Sequence, residues 1–383
     1  MIKLDKKEIC SGCSACEAAC PMNCITMIPD KLGFLYPVIN NDTCTNCGIC
    51  EAICPALSKT VFHDTIVTEA YAAYNKDNCI RERSSSGGIF TLIAQYILSQ
   101  GGVVFGAAFD DTFNTVKHIS VENQEWLYKL QGSKYVQSEI GRAYIEVEEH
   151  LKQGRLVLFS GTPCQISGLK AYLRKDYYNL YLQDIVCHGV PSPAVWEKYV
   201  THLECRIKGK LIRASFRDKQ NGWKNYALRF KFNNGKEYIK KRTEDLFMRG
   251  FLHDYYLRPS CYECVHKGVE RESDITLADY WGVESIHPHL DDDKGISLVT
   301  IHSAKGKELF EKICNDICLE ETDIDIAVKF NSSMITSAKL NDGRISFEEE
   351  FGSKPINELL TKYCKISVFR RIIRKIKIIS RLK

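Results

Sequence analysis

No segment of the 383 residues approaches the roughly 18 consecutive apolar residues of a membrane span, and the leading MIKLDKKEIC holds no apolar stretch that would open a secretory signal. A cytoplasmic chain is therefore expected. A G-x-G-x-x-G fingerprint is also missing, as is any readable nucleophile-and-base pair, which leaves protease chemistry little weight. Nothing fibrous or disordered shows in the composition: a hydrophobic fraction of 44% is ordinary, and the length leaves room for two or three domains. The net charge of +4 hides an asymmetry, because Lys365, Arg370, Arg371, Arg374, Lys375, Lys377, Arg381 and Lys383 close the chain with no acid among them. The body is mildly acidic and the tail strongly basic.

What the chain has in quantity is cysteine, eighteen in all. In an unexported chain that many thiols imply a reducing compartment, where they serve metals better than disulfides, and an anaerobic cytosol suits them. Eight fall into two matching runs, Cys10, Cys13, Cys16, Cys20, Pro21 and Cys44, Cys47, Cys50, Cys54, Pro55. Each run reads C-x2-C-x2-C-x3-C-P, the spacing by which bacterial ferredoxins hold two 4Fe-4S cubanes, the fourth cysteine of each run crossing to the other cluster. Cluster one thus takes Cys10, Cys13, Cys16 and Cys54, and cluster two takes Cys44, Cys47, Cys50 and Cys20. Two intervening residues let successive sulfurs point inward, and Gly12, Ser14, Ala15 and Gly48 leave room for the inorganic core. Paired zinc sites are the competing reading, but these use separated cysteine pairs rather than a repeated triplet-plus-one run. Cys24, just past the first run, is read as packing.

Beyond Pro55 the pattern is α/β, α+β overall: a small dicluster domain over 1–58, a linker and first core strand over 59–82, a mixed α/β core over 83–330, and an extension over 331–383. Glu69 to Tyr74 predicts a strand. Ile89, Leu92, Ile93, Tyr96 and Ile97 keep helical spacing up to Gly101-Gly102, and VVFGAAF follows as a buried strand. Leu156 to Ser160 and Leu180 to Val186 predict further strands, each with a turn and a helix after it. The first of these helices runs through Leu173; the second runs to about Leu203, with Ser192 as cap and Pro193 as first residue. Strand, turn and helix in repetition give parallel pairing, with ligands at the turns beyond the strand ends. At about 366–383, Phe369, Ile372, Ile373, Ile376 and Ile379 form an apolar stripe opposite a basic face. That helix suits an anionic membrane surface, packing on this protein or a partner being the even alternative. Such a stripe favours lipid over nucleic acid, so no nucleic acid is expected.

The turns carry the remaining chemistry. Ser84, Ser85, Ser86, Gly87 and Gly88 open a helix whose free backbone donors suit a flavin pyrophosphate, with an ordinary capped helix start as the plainer reading. Cys164 lies between a strand and a helix N-terminus, where the positive dipole end lowers a thiol's pKa, and Cys187 occupies the equivalent turn of the next unit. Cys261 and Cys264 form a CxxC pair. Four thiols meet the need of a third cubane; a four-thiolate zinc site and a redox-active CxxC stand beside that reading. His188, next to Cys187, is a candidate proton donor, and Asp274 and Asp279 flank a strand where flavin or substrate contact competes with capping. Cys79, Cys205, Cys314, Cys318 and Cys364 have no partners at metal spacing and are read as packing or surface thiols.

The series SSSGGIF, GGVVFGAAF, GSKYVQS (132–138), FSGTPCQISGLKAYL, DIVCHGVPSP, FRDKQNGW (216–223), RPSCYECVHK and SDITLADYWG (273–282) resembles the coenzyme F420 hydrogenase/dehydrogenase beta-subunit family from about residue 70 to about 310. The resemblance implies a flavoprotein with an α/β core that passes electrons between iron–sulfur centres and a two-electron acceptor, here with a fused dicluster ferredoxin. It implies a third 4Fe-4S cluster on Cys164, Cys187, Cys261 and Cys264, and FAD, with FMN as the alternative, near Ser84 to Gly88, Lys134, Gly161, Thr162, Pro163 and Gln165. The expected partners are a reduced ferredoxin-like donor or a partner redox enzyme, together with an organic acceptor. Similarity to bacterial proteins of surface-polysaccharide biosynthesis supplies one setting, at the inner membrane face if the tail binds lipid. The competing class is an electron-transfer module that feeds a partner and has no substrate of its own.

Overall fold

The computed structural model describes residues 6–57 and 69–364. The basic helix expected at about 366–383 and residues 59–68 of the expected linker lie outside the described residues. In the head, each cysteine run reverses direction at left-handed positions: Gly12 (φ 71°) and Ser14 (59°) in the first, Asn46 (55°) and Gly48 (75°) in the second. Each then enters a one-turn helix, α1 (Ala15–Ala18) or α2 (Ile49–Ala52). Strands β1 (Ile25–Pro29) and β2 (Leu35–Ile39) pair antiparallel between the runs, Ile25 opposite Ile39.

The core is one mixed sheet of nine strands. Its members are β3 (Glu69–Asn75), β4 (Val103–Phe109), β5 (Val116–Val121), β6 (Ser138–Glu139), β7 (Val157–Gly161), β8 (Leu180–Ile185), β12 (Ile275–Asp279), β13 (Ser297–Ile301) and β14 (Ile317–Glu321), in the order β14-β3-β13-β12-β8-β7-β4-β5-β6. The neighbours β4, β7, β8 and β12 run parallel. Two antiparallel steps through β13 bring β3 into the same direction. The carboxyl ends of β3, β4, β7, β8 and β12 therefore open along one edge, where α/β sheets gather ligands. The remaining strands β9 (Leu211–Asp218), β10 (Ala227–Phe232) and β11 (Glu237–Lys241) form a separate antiparallel sheet.

Helices cover both faces because their apolar stripes must be buried against the sheet. After α3 (Asn78–Arg83) comes α4 (Ile89–Ser99), in which Ile89, Ile93 and Ile97 of the expected stripe are buried while Leu92 and Tyr96 are half-buried. Next come α5 (Ala143–Lys152) and α6 (Pro163–Leu173), the latter started by a capping box between Thr162 and Gln165. In α7 (Pro193–Ile207) the Ser192 hydroxyl accepts from Val195 N at 3.1 Å, and the helix runs one turn past the expected Leu203. Trp196 on α7 packs against Phe216, Phe230 and Phe247, the last on α8 (Leu246–Leu252), in an aromatic core that the helix Ile356–Cys364 also enters.

The head is seated on this core. Phe34 is fully buried in the aromatic core with Leu32, and Leu32 O accepts from Ala194 N at 3.2 Å. Ala15 and Ile53 join the cluster of Tyr144, Phe159 and Ile166 beneath α6. Burying Phe34 alone stabilises the contact by about 2–3 kcal/mol. Among the described residues no helix is long and apolar enough to cross a membrane.

Candidate functional site

The turns after β7 and β8 and the loop around the 3-10 turn Pro259–Cys261 meet at one cavity of about 170 Å³, and Cys164, Cys187, Cys261 and Cys264 all line it. Local structure aims each thiol. Cys164 sits in the first turn of α6, its Sγ 3.1 Å from the Thr162 hydroxyl. Val190 N donates to Cys261 Sγ at 3.4 Å, and Cys264 N is held by the Ser337 hydroxyl at 3.0 Å. The head closes one wall with Ile9, Ser11 and Ala56. Among the described residues no three His, Cys, Asp or Glu side chains converge tightly enough to hold a single metal ion.

The helix start does not lower the Cys164 thiol as the sequence suggests. Burial, with Cys187, Cys264 and Cys261 nearby, pushes it well above the ordinary thiol value against the Thr162 hydrogen bond. Burial likewise pushes Cys261 up to about 12 and raises Cys187. Desolvation here exceeds a dipole worth less than about 1 kcal/mol. Such thiols are poor nucleophiles at neutral pH and ionise on binding a cation. Positive side chains also line the cavity: Lys267 donates to Cys187 O and, at 2.7 Å, to Ser333 O, while Arg258 and Arg271 stand in the wall.

In the head, Cys10, Cys13, Cys16 and Cys54 are mutual electrostatic neighbours, so the fourth thiol of the second run faces the first three of the first. Cys20, Cys44, Cys47 and Cys50 surround a second, smaller pocket with no charged residue in its lining. Cys24 lines it too. Its Sγ lies 3.3 Å from Cys20 Sγ, and that contact, ahead of burial and Cys44, pushes the Cys24 thiol up to about 12. Cys24 is therefore a buried thiol turned onto two others rather than packing alone. The first group abuts the core: a Cβ on Gly168, one turn along α6 from Cys164, would stand 2.7 Å from Cys13 Cβ and 3.1 Å from its Sγ.

The residues expected near a flavin lie along the same sheet edge, with their polar groups largely engaged. Ser84 donates to Ile80 O at 2.8 Å and Ser86 to Ile296 O at 2.7 Å, while Ser85 accepts from Ser133 N at 2.8 Å. Gly87 is a packing glycine, since a Cβ there would lie 2.4 Å from Ala73 O. Gly88 (φ 87°) starts α4 with no side-chain cap, so the first-turn N–H groups have no side-chain acceptor. Lys134 donates to Lys129 O at 2.8 Å and Gln131 O at 3.0 Å, and burial lowers it to about 7. Gln165 continues into a buried chain, Gln165–Ser138–His118–Ser160 O, in steps of 2.9, 3.0 and 3.1 Å. His188 lines the thiol cavity with Nε2 at 2.6 Å from Asp254 Oδ1 and Nδ1 at 3.4 Å from Ser333 Oγ. Asp279 is held by Arg217 at 2.7 and 2.9 Å and by Trp223 Nε1 at 3.1 Å. Asp274, at the other end of β12, accepts from Leu182 N at 2.7 Å.

Sequence reasoning passed over Arg258, Lys267 and Gly168. The first two flank the CxxC inside RPSCYECVHK, three residues before and three after, and charge beside a thiolate pair is the signal that marks them.

Three family models match the chain. That of the 4Fe-4S dicluster domain covers residues 9–57, that of the coenzyme F420 hydrogenase/dehydrogenase beta subunit N-term covers 70–143, and that of the same subunit's C terminus covers 154–327. No curated protein matches. Among solved structures, a chain of the xenon-derivatised F420-reducing NiFe hydrogenase complex from Methanosarcina barkeri is similar at 18% identity and a TM-score of 0.48, over 75% of this chain and 92% of that one.

Proposed function

The chain belongs to the coenzyme F420 hydrogenase/dehydrogenase beta-subunit family, an oxidoreductase family, with a 4Fe-4S dicluster domain ahead of it, and on that premise we propose an iron–sulfur flavoprotein that moves electrons between 4Fe-4S clusters and a two-electron acceptor. The carrying observation is the single cavity that Cys164, Cys187, Cys261 and Cys264 share with the wall of the head. Thiols spread around a cavity suit a multi-atom cluster better than a compact zinc site, and Arg258, Lys267 and Arg271 supply the positive surroundings that a thiolate-bound cluster needs. In this reading Cys10, Cys13, Cys16 and Cys54 hold one cluster of the head, Cys44, Cys47, Cys50 and Cys20 the other, and the core thiols a third. Gly168 keeps Cys13 close to the Cys164 turn, so the first head cluster is the neighbour of the core and the second lies beyond it.

A bound flavin converts single electrons into pairs. The donors that fit its pyrophosphate are the uncapped N–H groups of α4 rather than the hydroxyls of Ser84, Ser85 and Ser86, which point into the protein. Lys134 would add positive charge beside that edge. His188 would hold a proton at Nε2 against Asp254. A reduced ferredoxin-like protein or partner redox enzyme is the donor in this reading. The acceptor is organic, and surface-polysaccharide biosynthesis is the setting that the sequence resemblance supplies.

The engaged serine hydroxyls favour a second reading, an electron-transfer module without a flavin. Anaerobic purification followed by iron, sulfide and flavin analysis separates the two. About twelve irons and one flavin per chain support the enzyme, whereas about eight irons and no flavin support the module.

A further inference from the structure

Arg258 is fully buried, yet among the described residues no carboxylate accepts from it. Its acceptors are Cys10 O at 2.7 Å from Nε, Gln137 Oε1 at 3.0 Å, Leu35 O at 2.8 Å and Cys10 Sγ at 3.5 Å. The guanidinium lies over the Tyr36 ring at 4.4 Å and presses on Gly12, where a Cβ would meet it at 2.6 Å. It also lines the core cavity together with Cys261, three residues along the chain. A cation taken out of water without a counter-charge is costly, so a site built this closely around one implies an anion beside it.

We propose that Arg258 is a positioning residue shared by two clusters: it raises the reduction potential of the one on Cys10, Cys13, Cys16 and Cys54 and locks that cluster against the core. The inference rests on the cluster reading above. Reduction adds a negative charge to a thiolate-bound cluster, and a buried cation donating to a ligand sulfur favours the reduced form. The pocket of Cys20, Cys44, Cys47 and Cys50 has no such cation in its lining. Electrons arriving at the outer cluster therefore run downhill to the inner one.

The test is a redox titration of anaerobically purified full-length protein, followed by electron paramagnetic resonance, comparing wild type with Arg258→Met and Arg258→Lys. Cys47→Ser, in the second run, identifies the outer signal. In Arg258→Met the inner cluster becomes at least about tenfold harder to reduce, about 59 mV for one electron, while the outer cluster keeps its potential. Arg258→Lys keeps the charge, loses the forked geometry and shows a smaller shift of the same sign; it decides the matter if the methionine variant does not fold. Unshifted potentials overturn the role of Arg258, as does an equal shift in both head clusters. No paramagnetic signal in reduced wild type would instead overturn the cluster reading itself.

Discussion

The contact between head and core can be loaded at a single atom. Gly168 lies within α6 without a left-handed φ, so alanine is conformationally permitted there and gains about 1 kcal/mol of helix propensity. Against that gain, the new Cβ would lie 2.7 Å from Cys13 Cβ, 3.1 Å from Cys13 Sγ and 2.8 Å from the Tyr144 hydroxyl. Overpacking of this kind costs about 1–3 kcal/mol. Moving Tyr144, which donates to Gln165 O at 2.7 Å, costs about 1 kcal/mol more. The net loss of about 1–3 kcal/mol falls on the seating of Cys13, and the head should open about 5- to 150-fold more often. The assay is the rate at which an iron chelator bleaches the anaerobic protein. Gly168→Ala should bleach faster by that factor. Gly106→Ala should match wild type, because the nearest atoms to its Cβ are those of Leu130, at an ordinary 3.5 to 3.7 Å. Equal rates for all three proteins would refute the close seating of Cys13 on α6.

Three further outcomes are expected. Cys20→Ala should keep more iron than Cys16→Ala, because Cys24 Sγ stands 3.3 Å from Cys20 Sγ and can take its place; the double variant Cys20→Ala/Cys24→Ala should lose that advantage, and iron per chain is the measurement. Burial holds His302 down at about 3 and His118 at about 4, so the unfolded chain binds more protons than the folded one as pH falls below about 6.5. Stability is then lost on acidification by up to about 1.4 kcal/mol per pH unit for each, and urea titrations at pH 7.5 and 5.5 should show a shallower loss in His302→Asn. Asp279→Asn should destabilise by about 3–5 kcal/mol, because it leaves the buried Arg217 guanidinium without its anion. Asp279→Leu combined with Arg217→Met should lose less than the two single changes added, read by a double-variant cycle in urea.

Where spacing carries chemistry, the sequence was legible. The capped start of α7 and the buried strands β4, β7 and β8 follow from Ser192 and short apolar runs bounded by turns. Cys164 and Cys187 sit in the turns where the parallel strands β7 and β8 end, and the CxxC loop of Cys261 and Cys264 meets them at one cavity. Less legible were features that depend on distant residues meeting. The antiparallel sheet β9–β11 gave no signal that the strand-turn-helix rhythm could detect. Leu32 and Phe34 look like part of a self-contained head, but they are buried in the aromatic core that holds Trp196, and Leu32 O accepts from Ala194 N, more than 150 positions away. The expected low pKa of Cys164 failed because a helix end is a local feature while desolvation depends on the whole cavity. Arg258 was hidden for the same reason: its partner Cys10 is 248 residues distant.

The head also acts as masonry. Ile9, Ser11 and Ala56 are bricks in a chamber whose other bricks come from the core, among them Val265, which stands 72% exposed. Whatever fills the chamber is therefore held by both parts of the chain at once, and loosening either part exposes it.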